Sequence, residues 1–162
     1  DLGMGNEMAI NQLIAHHSVI FLPEKQIMYV STSPWQCGKY VAYDLNRIFS
    51  DSIDFNHEIY TENLTVPADS FLQQQEYQQL MTYKRLAPVL RKQIKKKERL
   101  DEQTLHAFQH ANPHFFYVYE LLGDYYHATG QQDKALRNWK KALLLPIPKR
   151  SESERIEHKI NN

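Results

Sequence analysis

Residues 11–45 decide the fold, and they read NQLIAHHSVIFLPEKQIMYVSTSPWQCGKYVAYDL. An apolar run at 13–21 is followed by a turn containing Pro at 22–25. A second run at 27–32 is rich in β-branched and aromatic residues. This pattern predicts two strands joined by a short connection. Residues 40–45 predict a third strand or extended segment after a turn marked by Pro and Gly.

Apolar side chains occupy both faces of the first predicted strand. Alternate residues of a strand share a face, which puts Leu13, Ala15, Val19 and Phe21 on one side and Ile14 and Ile20 on the other. Such a pattern is typical of a strand that is buried on both sides. A two-stranded ribbon is marginal in water, and the rest of the sequence supplies no obvious further strands. We therefore expect the chain to be part of a larger protein.

The composition is that of a folded, water-exposed polypeptide of one domain or two small ones. No apolar run approaches the ~18–20 residues that a membrane helix needs, so no membrane span is predicted. The single cysteine, Cys37, excludes an internal disulfide and a site built from several thiolates. Because the chain starts at Asp1, any targeting segment is expected upstream, and the compartment stays open.

Charge is distributed unevenly along the chain. Residues 1–80 carry ten acidic and three basic side chains, and residues 81–162 carry nine and sixteen, so the halves are about −7 and +7. Either the two halves complement each other, or the basic half binds a polyanion. The basic run at 91–99 has no interleaved aromatic residues, and cations suit the C-terminal end of a helix. No nucleic-acid partner is predicted.

The second half of the chain is predicted to be mainly helical. Caps and breakers delimit five helices, at residues 69–99, 101–111, 113–129, 131–144 and 151–160. Pro88 is expected to end or kink the first helix near Ala87. Asn112 is expected to cap the third, with Pro113 at its first position. The chain thus divides into strands at 1–50, an irregular linker at 51–68 and a helical region at 69–162.

Residues 113–148 carry small and aromatic residues at a characteristic spacing, namely Tyr119, Leu122, Gly123, Tyr126, Ala135, Trp139 and Ala142. This spacing resembles one tetratricopeptide repeat (TPR), a helix–turn–helix unit of about 34 residues. The small residues allow the two helices to cross closely, and the aromatic residues fill the space between them. The resemblance implies a TPR-like hairpin. It is either a stabilising appendage on its own protein or part of a groove for a protein partner.

The strand region resembles a second family. A strand at 17–21 is followed by a turn with Pro and Glu, a strand at 27–31, the turn Ser33-Pro34-Trp35-Gln36, and an aromatic ending at 40–45. This order is similar to the C-terminal end of the catalytic domain in acyltransferases of the acyl-CoA:6-aminopenicillanic-acid type, which are N-terminal-nucleophile (Ntn) hydrolases. The predicted fold class is therefore α+β. The N-terminal β segments would come from an αββα Ntn-type sandwich, followed by a mainly α-helical tail with one TPR-like hairpin.

The Ntn resemblance implies an enzyme that acts on C–N amide or thioester bonds of a small acyl substrate, without a cofactor. In that family an N-terminal Cys attacks the acyl carbon and its own α-amine acts as the base. Residue 1 here is Asp, and Cys37 cannot supply an N-terminal amine. The nucleophile is therefore expected in an upstream part of the same protein, and this chain alone is expected to be inactive.

The histidines offer further candidate sites. Adjacent strand residues point to opposite faces, so His16 and His17 cannot ligate one metal in regular β geometry. Each is interpreted as a buried, hydrogen-bonded histidine, or His17 with Ser18 makes substrate or oxyanion contacts in the cleft of the whole enzyme. His106, His110 and His114 recur at intervals of four, but Pro113 interrupts the helix and no metal site is predicted.

Cys37, beside Trp35, is either a small turn residue or a reactive thiol. The sequence has no phosphate-binding Gly loop, no Gly-x-Ser-x-Gly and no His-Glu-x-x-His. Two alternatives to the enzyme hypothesis stay open. One is a TPR-like interaction module without catalysis, in which the strands merely support the helical hairpin. The other is a lid or oligomerisation element.

Overall fold

The protein is described by a computed structural model, which covers residues 1–9, 13, 15–50, 54 and 56–161. In these ranges the architecture is mixed α+β, with a three-stranded antiparallel sheet followed by six helices. The predicted α+β class is confirmed. The chain separates into a sheet unit, Leu13–Gln74, and a helical unit made of Asp1–Gln12 and Gln75–Asn162.

The sheet unit contains three strands in the order β1-β2-β3 and one short helix. They are β1 (Val19–Leu22), β2 (Ile27–Ser31), β3 (Tyr40–Asp44) and α1 (Leu45–Ile48). The three predicted strands are confirmed, with β1 shorter than its apolar run. A single 3₁₀ turn at Pro23–Lys25 joins β1 to β2, and Gln26 completes it in the left-handed conformation (φ 52°).

The connection from β2 to β3 depends on one glycine. Thr32 donates its backbone N–H to the Lys39 carbonyl (2.9 Å), which closes the connection at its base. A Cβ at Gly38 would collide with the carbonyl oxygens of Thr32 and Ser33. The chain can therefore pass this close to itself only with glycine at that position.

The helical unit contains five helices: α2 (Gln75–Lys96), α3 (Glu102–Ala111), α4 (Phe116–Ala128), α5 (Gln132–Leu143) and α6 (Arg150–Asn161). α2 packs against α3, α4 packs against both of them and against α5, and α6 packs on α5. α4 is central, because more than half of its residues are buried, from Phe116 to Tyr125. A helix that is apolar all round is expected to lie inside a core.

Of the two expectations for Pro88, that it ends the helix near Ala87 or kinks it there, the first is wrong, because Pro88 lies inside α2 and the helix continues to Lys96. The kink stays a prediction. A proline inside a helix costs about 3 kcal/mol, and burial of Leu86, Ala87 and Leu90 in the core offsets that cost. Asn112 does not cap α4, whose first flanking residue is Phe115.

Asn112 instead holds the N-terminal segment. Its buried side chain accepts a hydrogen bond from Met4 N (3.0 Å) and donates one to the Met4 carbonyl (2.7 Å). Asn6 is fully buried and donates to the Pro146 carbonyl (2.9 Å). These contacts explain why the first residues of the chain group with the helices.

None of the helices in the described part of the chain is both long enough and apolar enough to cross a membrane.

Candidate functional site

The outer edge of β1 is an exposed edge of the sheet that consists of apolar residues. β1 pairs with β2 in the register Val19↔Val30 to Leu22↔Ile27. Just before it, Ser31 donates its backbone N–H to the Ser18 carbonyl (2.9 Å). β1 is the terminal strand in the order of the described sheet, so its second side forms an open edge.

β1 is exposed on both faces. The exposed fractions are 43% for Val19, 47% for Ile20 and 59% for Phe21, although these residues alternate between the two faces. The prediction of a strand buried on both sides is therefore wrong for this chain by itself. The reason is that no further strand or covering layer lies over β1 among the described residues.

The opposite edge of the sheet differs, because a later segment of the chain covers it. Tyr40 in β3 exchanges two backbone hydrogen bonds with Val66 (2.9 and 3.0 Å), and Thr61 donates its backbone N–H to Ala42 (2.8 Å). Ala42 is fully buried. Of the two sheet edges, that of β1 is thus the one with which no other segment pairs among the described residues.

An open apolar groove of about 590 Å³ adjoins this edge. Its apolar lining comes from Phe21 and Leu22 of β1, Ile27 of β2, Leu45 of α1 and Phe49 just after α1. Phe49 is 81% exposed, which is exceptional for a phenylalanine. Val19 and Ile20 are further exposed apolar residues of the same strand, on opposite faces of it. Exposed apolar patches of sufficient size mark interaction surfaces.

The candidates His17 and Ser18 lie at the start of this edge. His16 and His17 are both exposed, so their interpretation as buried histidines is wrong. Ser18 is half-buried, and its backbone N–H donates to the Ser31 hydroxyl (2.7 Å). The two residues precede β1 directly.

Cys37 lies in the turn between β2 and β3 and is buried. Its N–H donates to the Pro34 carbonyl (3.0 Å), and its carbonyl accepts from Asp69 N (2.9 Å). Burial raises the pKa of the Cys37 thiol, and the charge of Asp69 raises it further. A raised pKa keeps the thiol protonated, which is the opposite of what a nucleophile needs. The geometry favours the turn-residue interpretation of Cys37.

The residues predicted to pack the helical hairpin lie on α4 and α5. Most of them are buried, namely Tyr119, Leu122, Gly123, Ala135, Trp139 and Ala142, and Tyr126 is half-buried. A Cβ at Gly123 would collide with the indole ring of Trp139. Glycine is thus required where the two helices cross.

A buried carboxylate links α4 to α6. Glu120, whose side chain is only 3% exposed, accepts two hydrogen bonds from Arg155 and one from Lys159 (all 2.8 Å). Lys159 also contacts both oxygens of Asp124 (2.8 Å), and Asp124 accepts from the Trp139 indole (3.0 Å). Sequence spacing could not predict this network, because its ion-paired residues lie 35 to 39 positions apart. The only signal was the presence of two acidic residues, Glu120 and Asp124, in a largely apolar helix.

A smaller groove of about 480 Å³ lies in the helical unit. Ile94 of α2, His127 of α4 and Trp139 of α5 line it, together with Asp124 and Lys159 of the ion-pair network. Residues from four helices therefore meet at one surface. This is a second, weaker candidate for a binding site.

The spaced histidines form a stacked pair. The rings of His106 and His110 lie 3.8 Å apart, and His110 Nδ1 is 2.9 Å from the His106 carbonyl oxygen. His114 lies apart from them, 3.7 Å from the carboxylate of Asp1. No group of three or more metal-ligating side chains occurs in the part of the chain that the structure describes.

Comparison with known proteins gives no relative. No protein-family model, no curated protein and no solved structure matches this chain.

Proposed function

We propose that this chain is the C-terminal portion of an Ntn-type acyltransferase or amidohydrolase that acts on C–N amide or thioester bonds. In this proposal the sheet unit supplies the closing strands of the catalytic sandwich, and the nucleophile lies upstream. The helical unit follows as a tail with one TPR-like hairpin.

One observation carries the proposal. β1 is apolar on both faces and exposed on both faces, and in the described part of the chain no segment pairs with its outer edge. A strand of this composition is stable when layers cover both sides of its sheet, and an αββα sandwich covers each sheet in this way. The Ntn resemblance, which the same residues carry, implies a sandwich of that kind.

The proposed reaction passes through an acyl-enzyme. The N-terminal amine takes the proton of the upstream Cys thiol, the thiolate attacks the acyl carbon, and the C–N or C–S bond of the substrate breaks as the amine or thiol leaves with that proton. Water or an amine then gives a proton to the N-terminal amine and attacks the acyl carbon. The bond between the acyl carbon and the Cys sulfur breaks, the acid or amide is released, and the Cys is restored. His17 and Ser18, at the entrance to β1, are candidates for contacts with the substrate or the oxyanion in the assembled protein.

Intact-mass spectrometry of the longer protein tests this proposal. After incubation with acyl thioesters and acyl anilides, the protein is expected to begin with a self-exposed Cys and to gain the mass of one acyl group. Replacing that Cys with Ala should abolish the adduct, and the 162-residue chain alone should gain none. A longer protein that neither processes itself nor acylates would refute the proposal.

The second candidate function is a TPR-like interaction module without catalysis. The observation that favours it is the groove where α2, α4, α5 and α6 meet around Trp139. In that case the parent protein should carry further helical repeats and no processed nucleophile, because an array usually needs about three repeats. The same mass measurement therefore separates the two functions.

A further inference from the structure

We propose that His106 and His110 form an exposed metal site on α3, which binds a divalent transition-metal ion such as Ni²⁺, Cu²⁺ or Zn²⁺ through one ring nitrogen of each side chain. The two residues lie four positions apart on the helix Glu102–Ala111, and both are exposed. The site lies within the helical unit, so its test is independent of the proposed enzyme activity.

The helix brings the two rings to the separation that a shared ion requires. Side chains four residues apart on a helix are neighbours on one face, and the ring centroids of His106 and His110 lie 3.8 Å apart, with an interplanar angle of 27°. In a tetrahedral zinc site, the bond lengths place two ligand nitrogens about 3.4 Å from each other. A small rotation about the side-chain torsions therefore lets both rings bind one ion.

A hydrogen bond of His110 fixes which of its nitrogens is free for a metal. His110 Nδ1 lies 2.9 Å from the backbone carbonyl oxygen of His106. A carbonyl oxygen only accepts, so Nδ1 carries the proton and the lone pair of the neutral ring is on Nε2. Histidines that bind metals are usually held in this way, with the second nitrogen donating to a carbonyl or carboxylate.

The ring of His106 is held in place without using its nitrogens. Neither nitrogen has a hydrogen-bond partner among the described residues, and the ring stacks on that of His110. Both rings therefore already lie together before an ion binds, and little side-chain freedom is lost on binding. Preorganisation of this kind strengthens binding.

The position and the chemistry of the pair select the class of ion. His110 lies in the last turn of α3, where the helix dipole favours positive charge. Imidazole nitrogens suit Zn²⁺, Cu²⁺ and Ni²⁺, whereas Mg²⁺ and Ca²⁺ prefer oxygen ligands. Leu105 and Phe108 already anchor α3 in the core. The site is therefore one for an exchangeable ion, with water in the remaining coordination positions, and the fold does not require it.

Titration of the 162-residue chain with Ni²⁺ and with Zn²⁺ tests the site. Paramagnetic Ni²⁺ should broaden the amide signals of residues 106–110 at lower concentration than those of the other histidines. Calorimetry with Zn²⁺ should give an affinity that falls by at least about 10-fold in His106→Gln and in His110→Gln. Both side chains are exposed and glutamine is a good helix former, so these variants should keep the circular dichroism of the wild type.

A double variant distinguishes one shared ion from two separate ones. If both rings hold the same ion, His106→Gln combined with His110→Gln should lose little more affinity than either change alone, because one change already breaks the chelate. His114→Gln is the matched control. The ring of His114 lies 3.7 Å from the carboxylate of Asp1, apart from the pair, so this change should leave the affinity as it was.

Three results would overturn the site. The first is a Zn²⁺ affinity that is unchanged in His106→Gln or in His110→Gln. The second is Ni²⁺ broadening that centres on the exposed His16 and His17 and spares α3. The third is a double variant whose loss equals the sum of the two single losses, since that describes two independent ligands.

Discussion

Glu120 shows how one residue can join two helices. Burial by itself raises the pKa of Glu120, but its bonds to Arg155 and Lys159 outweigh this and hold the pKa below its usual value. A carboxylate whose pKa is lowered by folding stabilises the folded state above its unfolded pKa, and this contribution disappears as the pH falls through the folded value. The attachment of α6 to α4 is therefore expected to weaken in acid.

Replacement of Glu120 with glutamine tests this link. At pH 7, Glu120→Gln should lower the free energy of unfolding by about 2–3 kcal/mol, because Arg155 and Lys159 would face a neutral amide. The difference from the wild type should shrink below about pH 4, where the carboxylate of the unfolded chain is protonated. Urea unfolding at several pH values measures both effects.

A matched control lies on the outer face of α6. Glu157 is exposed, and Glu157→Gln should change the free energy of unfolding by less than about 0.5 kcal/mol. Equal losses from Glu120→Gln and Glu157→Gln would contradict the role of the buried network.

At the scale of elements, local sequence predicted some boundaries well. The second and third strands were predicted within one residue because β-branched and aromatic runs end at turn residues. α3 begins after Asp101, as predicted, because the Asp101 carboxylate accepts from Thr104 N (2.7 Å). Local sequence left open whether Pro88 ends α2 or only kinks it, and the continuation of α2 through Pro88 depends on core packing, which is not local.

β1 is the element whose burial the local sequence did not predict correctly. Its composition predicted burial, and the chain by itself exposes it. The isolated chain should therefore self-associate through the open edge. Phe21→Lys, which places a charge on that edge, should shift the chain toward the monomer. Size-exclusion chromatography with light scattering, over a range of concentrations, measures this shift.

A surface replacement elsewhere controls for a general change in charge. Leu144 of the helical unit is 85% exposed and lies outside the sheet unit. Leu144→Lys should leave the association unchanged. A wild-type chain that stays monomeric at high concentration would contradict the prediction.

At the scale of the whole molecule, the α+β class and the order of strands and helices followed from periodicity and breakers. The groove beside Phe49 and the Glu120 network did not, because both join residues that are far apart in sequence. The candidate site was predicted only as an excess of apolar residues in 13–21. Its position at an open edge required the structure.

We propose that strands of the same protein complete the sheet of this chain, and an experimental structure of the longer protein would test this proposal. We expect a strand paired with the outer edge of β1, in a sheet covered on both faces, with Phe49 buried. A longer protein in which the outer edge of β1 stays bare and solvent-exposed would contradict it.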